Sequence, residues 1–234
     1  MKRLIAMILV FAVAWSALWL WTSRATLREA RALAGDLRAA GWEIDYADLN
    51  VRGFPSRLDL TVDEPRVTTP QGAEWRAPFV QHLQLTYQRD RAIIAFADSQ
   101  TLVLDGTEVR VSDTGLRASL YEGRFTAEAE DMVFDWEGGR LTAGPILAAL
   151  RPNGEPGRYD LFLEAQNASA DETPLGTVTI EAVARLAAPL DRDEPPRLEG
   201  VEVTALTVPR NPEALEETLT TLSADTAEAL AQRQ

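Results

Sequence analysis

The sequence predicts a mainly β protein: one N-terminal membrane helix, a stalk helix, a large antiparallel meander sheet curled into a groove or half-barrel, and a C-terminal amphipathic helix. Three observations carry that expectation. An uncharged run spans Leu4 to Trp21. A period of two begins at Trp42 and recurs, with turn residues between runs, to about residue 209. A period of three to four returns after Pro212. The expected divisions are therefore 1–22 as anchor, 23–41 as stalk, 42–209 as β domain and 210–234 as terminal helix.

The first run follows Lys2 and Arg3 and is about 27 Å long as a helix, close to the ~30 Å of bilayer hydrocarbon. A cleaved signal peptide competes with an anchor, since Ser23-Arg24-Ala25 offers a small-x-small exit. The arginine in that exit and the cluster of Trp15, Trp19 and Trp21 at the distal end favour an uncleaved anchor. Arg24, Arg28 and Arg31 nearly balance Lys2 and Arg3, so positive charge alone does not orient the helix. The acidic remainder does: the chain has a formal net charge of −13. Such a body gains little from anionic headgroups or nucleic acid. The expected location is the inner membrane, crossed once, with the body in the periplasm. The chain has no cysteine, so no disulfide framework holds the fold.

The segment after the anchor carries Leu27, Ala30, Leu33, Leu37 and Ala40 at helical spacing, with Gly41 where a left-handed C-cap belongs. Beyond it, Leu58, Leu60 and Val62 alternate with charged and hydroxyl residues. Leu83, Leu85 and Tyr87 alternate with His82, Gln84 and Thr86. Asp105-Gly106 and Gly138-Gly139 are hairpin dipeptides between short strands. Strands this closely spaced leave no room for crossover helices, so the sheet is antiparallel. Strict alternation gives it one apolar and one wet face. In "WEIDYADLNV" the apolar phase switches from Trp42, Ile44 and Tyr46 to Ala47, Leu49 and Val51, which implies a bulge or bend.

Gly53-Phe54-Pro55 interrupts this pattern. Glycine admits positive φ, proline fixes φ and removes a donor, and the residue before proline is pushed to extended geometry. Phe54 is thus expected on a stiff structural turn, as an aromatic that caps the core. The alternative is an outward contact with lipid or a partner, flanked by Arg52 and Arg57. In the last segment Asn211 is the expected N-cap, Pro212 stands at the first helical position, and Glu213, Glu216 and Glu217 suit the helix dipole. Leu215, Leu219, Leu222, Thr226 and Leu230 form one stripe. It suits either a lid on the open face of the sheet or packing on the stalk or a partner.

The stretch Gly41–Ile44, then Gly53–Leu60 and Asp63–Val67, with Trp75, Ala77 and Pro78, resembles the envelope family called domain of unknown function 2125. Ser56 departs from that pattern, where an aromatic is usual. The family has no established activity. Its general look is similar to AsmA-like envelope proteins, which implies one N-terminal helix and an elongated β-groove concerned with lipids.

Catalytic chemistry finds little material. His82 is the one histidine, expected on a wet strand face with no nucleophile elbow to serve. Zinc sites built from Cys and His are excluded by count, and no phosphate loop occurs. Glu128, Glu130, Asp131, Asp135 and Glu137 alternate with Ala127, Ala129, Met132, Phe134 and Trp136 as a wet strand face does. The expectation is a protein that is not an enzyme, with no cofactor, no metal and no nucleic acid. The first reading is a groove that shelters an apolar ligand such as an acyl chain along Leu58, Leu60, Val62, Leu83, Leu85, Tyr87, Val109, Val111, Phe134 and Trp136. The other is a structural or interaction protein that docks an envelope partner through a sheet edge or the terminal helix.

Overall fold

The computed structural model describes residues 2–187 and 198–222. Anchor and stalk are one unbroken helix, α1 (Lys2–Ala39), with no change of geometry between residues 22 and 23. It ends as expected. Gly41 has φ +92, its N–H reaches Arg38 O (3.0 Å), and the Trp42 N–H reaches Leu37 O (3.1 Å). Those two bonds close a Schellman cap.

The buried stripe of α1 is not the leucine stripe. Ser23, Thr26 and Ala34 are buried and Ala30 and Leu37 half-buried, while Leu33 is 41% exposed. Small residues win here because the helix lies close against strands, and a small side chain lets two backbones approach. The Ser23 and Thr26 hydroxyls bond back to Leu20 O and Thr22 O, which satisfies them inside that contact.

The sheet consists of bent strands, each written as two segments. β1 (Glu43–Asp45) continues into β2 (Asp48–Arg52), and β3 (Arg57–Asp63) into β4 (Arg66–Thr68). β5 (Glu74–Arg76) continues into β6 (Phe79–Leu85), and β7 (Gln88–Phe96) into β8 (Ser99–Leu104). β9 (Thr107–Thr114) continues into β10 (Arg117–Tyr121), β11 (Arg124–Ala129) into β12 (Asp131–Trp136), and β13 (Gly139–Ala143) into β14 (Ile146–Pro152). Three long strands follow, β15 (Arg158–Ala170), β16 (Thr173–Leu186) and β17 (Leu198–Thr207).

Every pairing is antiparallel and each strand pairs with its neighbours in sequence, so the whole is an open up-and-down meander. The bends share one level. Across them Ala47 N bonds Asp63 O, Glu64 N bonds Pro78 O, Phe96 N bonds Leu116 O and Gly144 N bonds Gln166 O. Pro65, Pro78 and Pro145 stand in this crease, where a missing donor is tolerated. The apolar phase switch at Tyr46-Ala47 is the first of these bends.

Alternate turns lie at opposite ends. One end, beside the middle of α1, carries turns at 53–56, 86–87, 122–123 and 153–157. The other carries turns at 69–73, 105–106, 137–138 and 171–172. Asp105-Gly106 is a hairpin with both residues at positive φ (50 and 85), as expected. The expected Gly138-Gly139 dipeptide is displaced by one residue: the turn is Glu137-Gly138, and Gly139 opens β13 opposite Trp136. Neither glycine is a positive-φ residue, but a Cβ on Gly139 would lie 2.8 Å from Trp136 Cζ2 and 2.9 Å from Thr218 Cγ2.

Those contacts belong to α2 (Pro212–Thr220), which packs on β13, β15 and β16. Asn211 sits at the N-cap position, but in the left-handed region (φ 46). Its side chain makes no cap bond and donates instead to Pro174 O (2.9 Å). Ala214 and Leu215 join the cluster around Ala170 and Leu175, and Leu222 joins that around Trp136. Trp136 Nε1 donates to Thr221 Oγ1 (2.8 Å) and Thr218 Oγ1 to Asp171 Oδ2 (2.9 Å). As far as it is described, α2 therefore lies over the end of the sheet that carries the 137–138 and 171–172 turns. Thr226 and Leu230 lie outside the described residues.

Candidate functional site: the inner face and the turn beside the helix

Directly opposed residues of an antiparallel pair share a face. The register thus assembles one row across the whole sheet: Val51, Leu60, His82, Ile94, Ala118, Ala127, Ala148, Leu163, Ile180 and Leu206. All but His82 are apolar. The parallel row nearer the α1-side end includes Ala92, Leu120, Phe125, Leu150 and Leu161. Beyond the crease the same face continues through Trp75, Leu102 and Val109, and through Val111, Phe134 and Leu141. Trp75 and Phe96 meet edge to face across the bend, their rings 6.3 Å apart.

This face is the inner one. Leu58, Ala92, Val109, Val111, Ala118 and Trp136 are all buried. Among the described residues the helices pack chiefly on β1–β3 and on β13, β15 and β16. Ala92 and Ala118, on β7 and β10, lie away from those contacts and are buried all the same. The opposite face is mixed. Its rows run through Asp59, Leu83, Ile93 and Ser119, and through Arg117, Glu128, Leu147 and Glu164.

The structure brings together Leu58, Leu60, Val62, Val109, Val111, Phe134 and Trp136 on the inner face. It does not bring Leu83, Leu85 and Tyr87 there. Gln84 opposes Leu58 and His82 opposes Leu60, so the polar members of β6 point inward and Leu83 and Leu85 face outward. Tyr87 lies on the turn and is 72% exposed. The wet-face placement of His82 is corrected by the same register.

The inner face also holds a polar chain that periodicity did not single out. Trp75 Nε1 donates to Gln100 Oε1 (2.8 Å), Gln100 Nε2 donates to Asp113 Oδ2 (3.1 Å), and Asp113 Oδ1 accepts from Leu116 N–H (3.1 Å). Gln100 and Asp113 are buried. The chain pins β5, β8 and β9 together at the crease. The signal was present: both residues occupy inward positions beside apolar inward neighbours, Leu102 and Leu104 on β8 and Val109 and Val111 on β9. Replacing Asp113 by alanine strands the Gln100 amide and a backbone donor, and is expected to cost about 1–3 kcal/mol in chemical denaturation of the detergent-solubilised protein.

The turn at 53–56 faces α1. Gly53 has φ +103, and the Arg57 N–H returns to Gly53 O (2.8 Å). Trp15 Nε1 donates to Pro55 O (3.0 Å) and Trp19 Nε1 to Arg57 O (2.8 Å). Phe54 lies edge-on to Trp19 with centroids 5.6 Å apart, and remains 56% exposed. It does not cap the core: it points outward, against Trp19 of α1. Residues one helical turn apart, on the same side as Ser23 and Thr26, put both indoles in reach of the turn.

The acidic run is dispersed. Glu128 pairs with Arg117 (2.6 Å) and Asp135 with Arg140 (3.4 Å), all largely exposed. Among the described residues no group of three or more His, Asp or Glu side chains is arranged to hold a metal.

No curated protein and no solved structure matches the chain. A family model does, over residues 19–231, beginning at the tryptophan that holds the Gly-Phe-Pro turn. The resemblance seen in the N-terminal third thus extends through the meander and past α2. The chain belongs to the family described as "uncharacterized protein conserved in bacteria" (DUF2125).

Proposed function

We propose that the protein is a membrane-anchored, non-catalytic β-trough of the cell envelope that shelters an apolar chain, such as a lipid acyl chain, along its inner face. The supporting observation is the apolar row that runs unbroken except for His82 from Val51 to Leu206 across a sheet that does not close. Binding there is burial alone, about 0.8 kcal/mol per methylene removed from water. α1 is long and apolar enough to cross a membrane, and the reading places that membrane as the inner one and the sheet in the periplasm.

The test is lipid extraction and native mass spectrometry of the full chain released in mild detergent. Phospholipid is expected to co-purify. Phe125→Glu puts a carboxylate on the inner face beside Leu120 and Leu150 and is expected to lower lipid occupancy by more than about tenfold, given the cost of desolvating that charge. Leu85→Glu, on the outer face, is expected to keep the lipid. Two folded variants with equal lipid content would refute the reading.

A second reading, a scaffold, has one observation in its favour. Among the described residues β17 pairs with β16 alone, and its Val201 and Leu206 are 48% and 43% exposed. Such an edge can accept a strand from a partner. Lipid-free protein bound to one envelope partner through β17 would favour it.

A further inference from the structure

The further inference concerns where the sheet sits, and it rests on reading α1 as a bilayer span. The apolar run of α1 ends at Trp21. A hydrocarbon layer of ~30 Å needs nearly all of its ~27 Å. Trp15 lies within it, about 9 Å along the axis before Trp21. Yet the Trp15 and Trp19 indoles are bonded to the carbonyls of Pro55 and Arg57. The sheet end that carries this turn is therefore level with the last two turns of the apolar run, not above it. From Leu4 to Val13 the large apolar side chains are 57–70% exposed, with nothing of the sheet beside them.

The chemistry of that end fits the depth. Phe54 and Tyr87 project from adjacent turns, 56% and 72% exposed. The turns are tied together, since the Thr86 N–H and hydroxyl both donate to Ser56 O (3.0 and 2.9 Å). Arg52 and Arg57 flank Phe54, and the Arg91 guanidinium lies 4.4 Å over the Tyr121 ring at the next turn. Aromatic rings and arginines are the side chains that settle at the headgroup level. Among the described residues the opposite end exposes no comparable aromatic ring: Trp136 beside its 137–138 turn is buried, with Arg140 next to it. Its turns are built from residues such as Gln71, Asp105, Glu137, Asp171 and Glu172, whereas Glu122 and Glu155 are the acidic turn residues of the α1-side end. An acidic protein thus keeps its aromatic tips at the one end where lipid would be.

We propose that the turns bearing Phe54 and Tyr87 are seated in the interfacial layer of the bilayer that α1 crosses, so that the sheet rests on the lipid rather than standing off on a stalk. The end of the inner face left uncovered by α2 then opens toward the membrane.

The chain has no cysteine of its own, so spin labels can be placed singly. Full-length Phe11→Cys, Phe54→Cys, Tyr87→Cys and Gln71→Cys variants would be reconstituted into phosphatidylcholine–phosphatidylglycerol vesicles and their collision rates with oxygen and a polar nickel chelate measured. Labels at 54 and 87 are expected to collide with the chelate several-fold less often than the label at 71, with oxygen contact raised. The label at 11 is expected in hydrocarbon. If 11 is in hydrocarbon while 54 and 87 are as open to the chelate as 71, the seating is wrong and the anchor stands. If 11 itself is in water, both fall. Shielding at 54 and 87 that follows protein density rather than lipid would assign the surface to a second copy and also overturn the proposal. Each label is introduced singly and replaces an exposed ring that makes no hydrogen bond between the two turns, so misfolding of one variant leaves the other to decide.

Discussion

Replacing Leu58 by alanine is expected to remove about 2–5 kcal/mol of stability, the range for truncating a leucine in a packed core. Leu58 is fully buried (0% exposed) and, with Leu175, is one of the largest fully buried side chains among the described residues. It lies on β3, the strand joined both to β2 and to β6, and on the elements against which α1 packs. A cavity there loosens three contacts at once, and the sheet around it cannot collapse without breaking the ladder. Leu58→Asp puts a charge opposite Gln84 in that fully buried site and is expected to prevent folding, because the carboxylate is stripped of water there. Chemical denaturation of the full chain in detergent measures the first. Loss of β-type circular dichroism reports the second. Alanine at Ile93, 41% exposed on the outer face, is expected to cost far less.

The second large effect is at Gly53. Its φ of +103 is a region that L side chains rarely enter, and an added Cβ would lie 2.6 Å from Arg57 Cβ and 3.0 Å from the Arg57 carbonyl carbon. Both faults fall on the residue whose carbonyl accepts the Trp19 indole. Gly53→Ala is expected to cost about 1–3 kcal/mol from backbone strain alone, with the steric term added. It should also free the indoles, so the tryptophan emission of α1 would change along with stability. Gly72, also at positive φ but with open space around its Cβ position, supplies the comparison. Gly72→Ala carries strain without the clash and leaves the emission of Trp15 and Trp19 unchanged.

Much of this architecture was legible because its determinants are local. The uncharged run to Trp21, the Gly41 cap and the Asp105-Gly106 hairpin each follow from residues a few positions apart. The switch of apolar phase at Tyr46-Ala47 announced a bend, although nothing local told that the next strands bend at the same level. β6 shows the limit. Alternation separates His82 and Gln84 from Leu83 and Leu85, but a period of two does not say which set faces inward. That is decided by register with β3, where Leu58 opposes Gln84, and by Ile93, which gives Leu83 an apolar neighbour on the outer face. Phe54 was misplaced for a similar reason. Its surroundings are made by Trp15 and Trp19, some forty residues earlier in the chain. Gly138 does sit in the hairpin turn between β12 and β13, but what requires glycine at 138 and 139 is the space that Thr221 and Thr218 fill.

The claim on which the rest depends is that the register of β3 with β6 sets a single apolar inner face, with Gln84 inside and Leu83 and Leu85 outside. Single cysteines at 83, 84 and 85 in the full chain, reacted with a water-soluble maleimide under native conditions, test it most directly. The structure predicts slow labelling at 84, which is only 7% exposed, and faster labelling at 83 and 85. Rapid reaction at 84 with protection at 83 and 85 would put the leucines of β6 inside and contradict the account.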